Sequence, residues 1–227
     1  MHPRMRGGAL KAAQIAAISG LVLLYAYGVR FSIKAIELLP QGKETDPAGH
    51  AYPPWTVIHF ASALLFAVLA MMQLVSVVRR RYPVFHRYIG RIAVASGLIA
   101  AITGASVPFA VVPPHPLLER IYIVIYFSGA ASCLLLGFRA ARRHDFTLHR
   151  IWMIRAIATA GAVMTQRIVF PIWLLAFGIH SDAEFWMEFV GAFALGWVIN
   201  LALAEGWLRW KSTAPRASVA SLASQPR

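Results

Sequence analysis

The stretch RRRYPVFHRYIGR, residues 79–91, decides the fold of this chain together with a later counterpart, RRHDFTLHRIWMIR, residues 142–155. Each stretch contains an arginine pair, a short spacer with a phenylalanine, and a His-Arg pair that begins a helix. Each also lies between two long apolar runs. A basic turn between two apolar runs is typical of membrane-spanning helices that are joined at the cytoplasmic face. The pattern therefore predicts a polytopic membrane protein with a basic cytoplasmic end.

Composition agrees with a membrane protein, since 59% of the 227 residues are hydrophobic and the mean hydropathy is +0.61. Crossing about 30 Å of hydrocarbon takes roughly 20 apolar residues in a helix. Six runs reach or approach that length: 12–33, 55–78, 92–112, 121–138, 151–179 and 185–208. Helices satisfy their own backbone hydrogen bonds in lipid. We therefore expect an all-α integral membrane bundle of about six transmembrane helices.

The distribution of the charged residues, whose net charge is +13, indicates a membrane topology and not nucleic-acid binding. When alternate connectors are assigned to opposite sides, most Lys and Arg residues fall on one side, and only Lys34, Lys43 and Arg120 fall on the other. Cytoplasmic loops carry such an excess. We expect a multi-pass protein of the bacterial inner membrane with both termini in the cytoplasm. Its expected partners are anionic lipid headgroups, or a membrane protein or second copy of the chain, and not nucleic acid.

The chain divides into three predicted parts. A basic cytoplasmic arm covers residues 1–11, a transmembrane domain covers 12–210, and a disordered cytoplasmic tail covers 211–227. The motifs occupy a core at about 55–170. Within it, the two basic turns join helical hairpins that run in the same direction, so the hairpins predict a parallel repeat.

Polar side chains inside the apolar runs predict a pocket. His59 and Gln73 share one face of their helix, and Arg167 lies about 24 Å along its own helix from residue 151, level with His59. Thr159 and Gln166 lie with Arg155 on one stripe of that helix, and Arg167 lies beside this stripe. Intramembrane charge is costly and usually has a function. One interpretation makes His59, Gln73 and Arg167 a polar intramembrane pocket, and the other lets Arg167 extend to the interface.

The basic turns offer a second candidate site. His86 and His149 each begin a helix, and two facing imidazoles would suit haem b or a transition metal. Four arginines beside them are expected to bind lipid phosphate or another anion: Arg87, Arg91, Arg150 and Arg155. The alternative gives both histidines only polar contacts at helix starts and pairs Arg155 with Glu205, which lies at a similar depth.

These motifs together resemble the bacterial family of predicted membrane proteins called domain of unknown function 2306. The resemblance covers roughly residues 55–170 and implies a multi-span membrane protein without defined biochemistry. It rests on His59, Gln73, His86-Arg87-x-x-Gly90-Arg91, His149-Arg150-x-Trp152-Met153-x-Arg155 and Arg167.

The sequence contains no Gly-rich phosphate loop, no His-Glu-x-x-His motif and no cysteine pair, so it identifies no catalytic residue. It predicts an accessory or lipid- and anion-interacting membrane protein with a His/Arg cluster at the cytoplasmic face. Two alternatives stay open. One is a haem- or metal-binding redox protein that uses His86 and His149, and the other is a small-solute transporter with its pocket at His59 and Arg167.

Overall fold

The computed structural model describes residues 55–110, 116–178 and 181–213, with Tyr52, Pro53 and a few isolated positions before them. The expected first span at 12–33, the basic arm at 1–11 and residues 214–227 of the tail expected at 211–227 lie outside these described ranges. Residues 211–213, which were expected to be disordered, continue the last helix instead. Every regular element within them is helical.

Six helices are described, and five of them are long and apolar enough to cross a membrane. The short helix α2 is the exception. The helices are α1 (Thr56–Leu74), α2 (Ser76–Arg81), α3 (Pro83–Ala110), α4 (Leu117–Arg142), α5 (Phe146–Phe177) and α6 (Asp182–Thr213). The predicted all-α, multi-pass fold is confirmed. Spans two to six of the sequence prediction correspond in order to α1, α3, α4, α5 and α6.

Local sequence explains where the helices start at the basic turns. Pro83 is the first residue of α3, a position where its fixed φ suits the helix and its missing N–H costs nothing. Asp145 caps α5, and its Oδ1 accepts a hydrogen bond from the Leu148 amide at 2.9 Å. His86 and His149 therefore both lie in the first turn of a helix, as the sequence predicted.

Neighbouring helices pack side by side in the order α1, α3, α4, α5 and α6. One core joins four of them through Phe66 and Ala70 of α1, Ala93 of α3, Leu134 of α4 and Ala156 of α5. A second core joins α4, α5 and α6, and α5 and α6 make the most extensive contact. Several core residues are alanines, which let helices approach closely in lipid.

The two ends of the bundle differ in chemistry. The basic end holds the connections at 75–82 and 143–145, and the far end holds the starts of α1, α4 and α6. The predicted repeat of hairpins stays a prediction. The first basic turn contains an additional helix, α2, whereas the second is a short connection in which His144 has a φ of 61°.

Candidate functional site

A cavity of about 500 Å³ extends from the far end toward the middle of the bundle, between the five long helices. Its polar lining residues are Thr56, His59, Glu119, Gln166 and Arg167. Most of the remaining wall is apolar. Its aromatic side chains include Phe60, Phe66, Tyr126, Phe127, Phe170 and Phe193. His59 and Arg167, which the sequence placed at one depth, thus line the same cavity.

The imidazole of His59 has a defined orientation in the cavity wall. Its Nδ1 lies 2.9 Å from the Ala100 carbonyl oxygen on α3. A carbonyl only accepts, so Nδ1 carries the proton and donates, which leaves Nε2 with a lone pair in the neutral ring. The ring also meets the edges of Phe60 and Phe127, with centroids 5.5 and 5.6 Å away. The cavity therefore has a fixed imidazole with an acceptor nitrogen.

Two prolines interrupt the helices of the same wall. Pro108 lies inside α3 and Pro171 inside α5, and both line the cavity. A proline within a helix supplies no N–H to the carbonyl four residues earlier. Those carbonyls belong to Gly104 and Arg167, which also line the cavity. Each of the two helices therefore lacks one regular backbone hydrogen bond next to the polar side chains.

The sequence did not single out Thr56 or Glu119, which are polar lining residues. Glu119 is only 3% exposed although it lies in the first turn of α4. A glutamate beside Arg120 near a helix start resembles an ordinary loop charge. The only signal is its position three residues after Pro116, directly before a long apolar run. Burial of its carboxyl group depends on neighbouring helices.

Gln73 does not belong with His59 and Arg167. It lies near the other end of α1, where its Nε2 donates to the His86 carbonyl at 3.2 Å. A Cβ placed on Gly90 would lie 3.3 Å from Gln73 Oε1. The sequence grouped Gln73 with His59 because they share a helix face, but 14 residues of helix separate them by about 21 Å. Gln73 instead joins α1 to the first turn of α3.

The two histidines at the basic end lie near each other. His149 and the arginines Arg79 and Arg87 are close enough to His86 to interact with it electrostatically. His149 Nδ1 donates to the Gly137 carbonyl at 2.8 Å, so its Nε2 keeps a lone pair in the neutral ring. His86 Nδ1 is buried and has no hydrogen-bond partner in the part of the chain that the structure describes. The two hairpins therefore meet at this end.

The four arginines that were expected to bind anions have different surroundings. Arg87 and Arg91 are exposed, and the exposed Arg150 lies over the Trp207 ring at 5.0 Å. Arg155 instead forms a two-pronged ion pair with Glu205, at 2.5 Å for Nε–Oε1 and 3.1 Å for Nη2–Oε2. The pairing of Arg155 with Glu205, which their similar depth in the membrane predicted, is confirmed. Arg155 therefore has a carboxylate partner inside the bundle, which sets it apart from the other three.

A protein-only metal centre finds no support within residues 55–110, 116–178 and 181–213. These ranges hold no group of three or more His, Cys, Asp or Glu side chains placed to bind one ion.

Comparison with known proteins gives one result. The family model described as "Predicted membrane protein (DUF2306)" matches residues 56–208, from the start of α1 into the last turns of α6. No curated protein and no solved structure matches the chain.

Proposed function

We propose a ligand-binding role for this chain, which belongs to the DUF2306 family of predicted membrane proteins. The ligand is a small amphipathic molecule that enters the far-end cavity from the lipid bilayer. One observation carries the proposal: a cavity of about 500 Å³ combines a polar cluster with aromatic and aliphatic walls inside a membrane bundle. Cavities of this size and mixed character are typical of small-molecule sites.

Burying the polar cluster in a membrane-spanning bundle costs free energy, and such clusters usually serve a function. Glu119 and Gln166 are 3% and 7% exposed, and Arg167 lines the same cavity as both. Ionisable groups within membrane-spanning segments mark binding sites and pathways more often than they serve packing alone. Because the lining carries both an acid and a base, it suits a head group that is neutral overall and forms several hydrogen bonds. The apolar walls would receive the hydrocarbon part.

The basic end supports a separate interaction with the membrane surface. Its exposed arginines lie beside exposed aromatic residues such as Tyr82, Phe85 and Tyr88. Such a surface suits anionic headgroups, each nearby Arg or Lys contributing about 1 kcal/mol. We place this end in the cytoplasm of a bacterial inner membrane, in keeping with the positive-inside rule. Both interactions fit a lipid-interacting accessory protein.

Filling the cavity should remove the ligand. Ala130 of α4 lines the cavity, whereas Ala61 of α1 is exposed and lies outside the lining. We expect Ala130→Leu to lower the occupancy of a co-purifying small molecule at least about tenfold, since it adds three heavy atoms to the binding space. The measurement is native mass spectrometry of protein extracted in mild detergent, followed by identification of the released molecule. Ala61→Leu makes the same change away from the cavity and should keep the ligand. Equal occupancy in both variants would show that the cavity is not the site.

Haem binding at the basic end is a second candidate, favoured by the lone pair on His149 Nε2 and by His86 Nδ1, which has no hydrogen-bond partner among the described residues. If it is right, the purified protein has a Soret band that both His86→Ala and His149→Ala remove, while His144→Ala in the exposed turn keeps it. The measurement is an absorption spectrum before and after dithionite reduction. A flat visible spectrum, or a band that persists in either variant, would reject the candidate.

A further inference from the structure

We infer that the ligand of the far-end cavity presents a ring-bound hydroxyl, as in a hydroquinone, and that this hydroxyl donates a hydrogen bond to Nε2 of His59. The inference rests on the proposed function and names the chemical class of its ligand. Three features of the cavity lead to it: the fixed tautomer of His59, the further polar atoms around it, and the aromatic walls.

The tautomer of His59 makes its second ring nitrogen an acceptor. Nδ1 is committed to the Ala100 carbonyl at 2.9 Å, so Nε2 is the nitrogen left for a ligand. In the neutral imidazole the second ring nitrogen has no hydrogen once Nδ1 carries it. A ligand atom that meets Nε2 must therefore bring a hydrogen.

Other polar atoms in the wall can both accept from and donate to a ligand. Pro108 leaves the Gly104 carbonyl without its usual helical N–H donor. Thr56 is 1% exposed, and its Oγ1 has no hydrogen-bond partner among the described residues. The Tyr126 hydroxyl, by contrast, is already used, since it donates to the Thr159 carbonyl at 2.8 Å. A head group that both donates and accepts, as each hydroquinone oxygen does, matches this set.

The apolar wall favours a flat ring next to that head group. Phe60 and Phe127 meet the His59 ring edge to face, and Tyr126 packs against Phe127 and Phe193 with centroids 5.1 and 4.7 Å away. Aromatic pairs prefer such edge-to-face and tilted contacts, which a ligand ring would extend. A chain attached to the ring would make the molecule soluble in the bilayer.

The test compares a ligand that carries the hydroxyl donors with one in which methyl groups replace the hydroxyl hydrogens. A short-tailed hydroquinone, kept reduced, offers hydroxyl hydrogens, and its dimethyl ether does not. We expect the full-length protein in detergent to bind the hydroquinone about tenfold more tightly, the difference typical of one buried hydrogen bond. Dissociation constants are measured by isothermal titration calorimetry, with Ala130→Leu to show that both ligands occupy the cavity.

Two substitutions at His59 separate its structural bond from its ligand contact. His59→Asn can still donate to the Ala100 carbonyl but has no atom at the position of Nε2, so it should lose the preference for the hydroquinone and keep its fold. His59→Gln places an amide oxygen near that position and should keep part of the preference.

A wild-type protein that binds the ether as tightly as the hydroquinone would overturn the inference, and so would an unchanged preference in His59→Asn. If Ala130→Leu releases a co-purifying ligand while hydroquinones fail to bind, the ligand-binding role stands and the ring class is wrong. If hydroquinones fail to bind and Ala130→Leu also releases no co-purifying molecule, the ligand-binding role itself is wrong.

Discussion

Gly196→Leu is expected to lower the free energy of unfolding by about 2–4 kcal/mol, because it forces apart the two helices with the most extensive contact. A Cβ at Gly196 of α6 would lie 3.0 Å from the Ala162 carbonyl oxygen and 3.2 Å from the Gln166 amide nitrogen on α5. These are backbone atoms, which cannot rotate away. Separation would also lengthen the bond at 3.2 Å from the Asn200 amide to the Ala158 carbonyl.

The same helix offers a matched control. Gly191 has no neighbouring atom within 4 Å of an added Cβ, so Gly191→Leu should change stability by less than about 1 kcal/mol. Reversible unfolding in mixed detergent micelles, followed by circular dichroism, gives both values. Similar losses at the two positions would mean that α5 and α6 do not approach as closely as described.

Glu205→Leu is expected to cost about 1–2 kcal/mol because it leaves the half-buried Arg155 guanidinium without its carboxylate partner. The figure is below that for a fully buried pair, since the two side chains are 29% and 34% exposed. Arg155→Leu should cost less than Glu205→Leu, because a lone carboxylate near the basic end has other arginines within reach. It would also remove the cation–π contact with Trp152, where the guanidinium carbon lies 4.8 Å from the ring centre.

The double variant distinguishes a specific pair from two independent charges. With both residues changed to leucine, no unpaired charge remains, and we expect most of the stability lost in Glu205→Leu to return. The double-mutant cycle, measured by the same unfolding assay, should give a coupling of about 1–2 kcal/mol. Strictly additive losses would contradict the ion pair.

The fold could be predicted from the sequence because each of its signals lies within one short segment of the chain. Apolar length identifies the spans, the His-Arg pairs indicate where helices begin after the basic turns, and the regular rise of a helix converts residue number into depth. That last step placed Arg167 level with His59 and Arg155 level with Glu205, and both pairs share surroundings in the structure.

The sequence predicted the candidate site only in part. Two residues contribute to one site only if they lie at the same depth in the membrane and on helix faces that meet, and these are separate conditions. Gln73 shares a face with His59 but lies at the other end of α1, where it contacts His86. Glu119 lies at the right depth, yet its burial depends on how α4 packs against its neighbours, which one helix's sequence does not encode. The cavity itself is the space between five helices, so no single segment predicts it.

The bonds from His59 to Ala100 and from His149 to Gly137 join a side chain on one helix to the main chain of another. Every residue type carries a carbonyl, so the acceptor persists whatever side chain occupies position 100 or 137, provided that the helix stays in place. A saturation mutagenesis scan should therefore find no compensating pair between either histidine and the residue that it bonds. Intolerance at Gly137 itself would come from packing, because an added Cβ there would collide with Met153. Methods that infer proximity from correlated substitutions would overlook two contacts that fix neighbouring helices against each other.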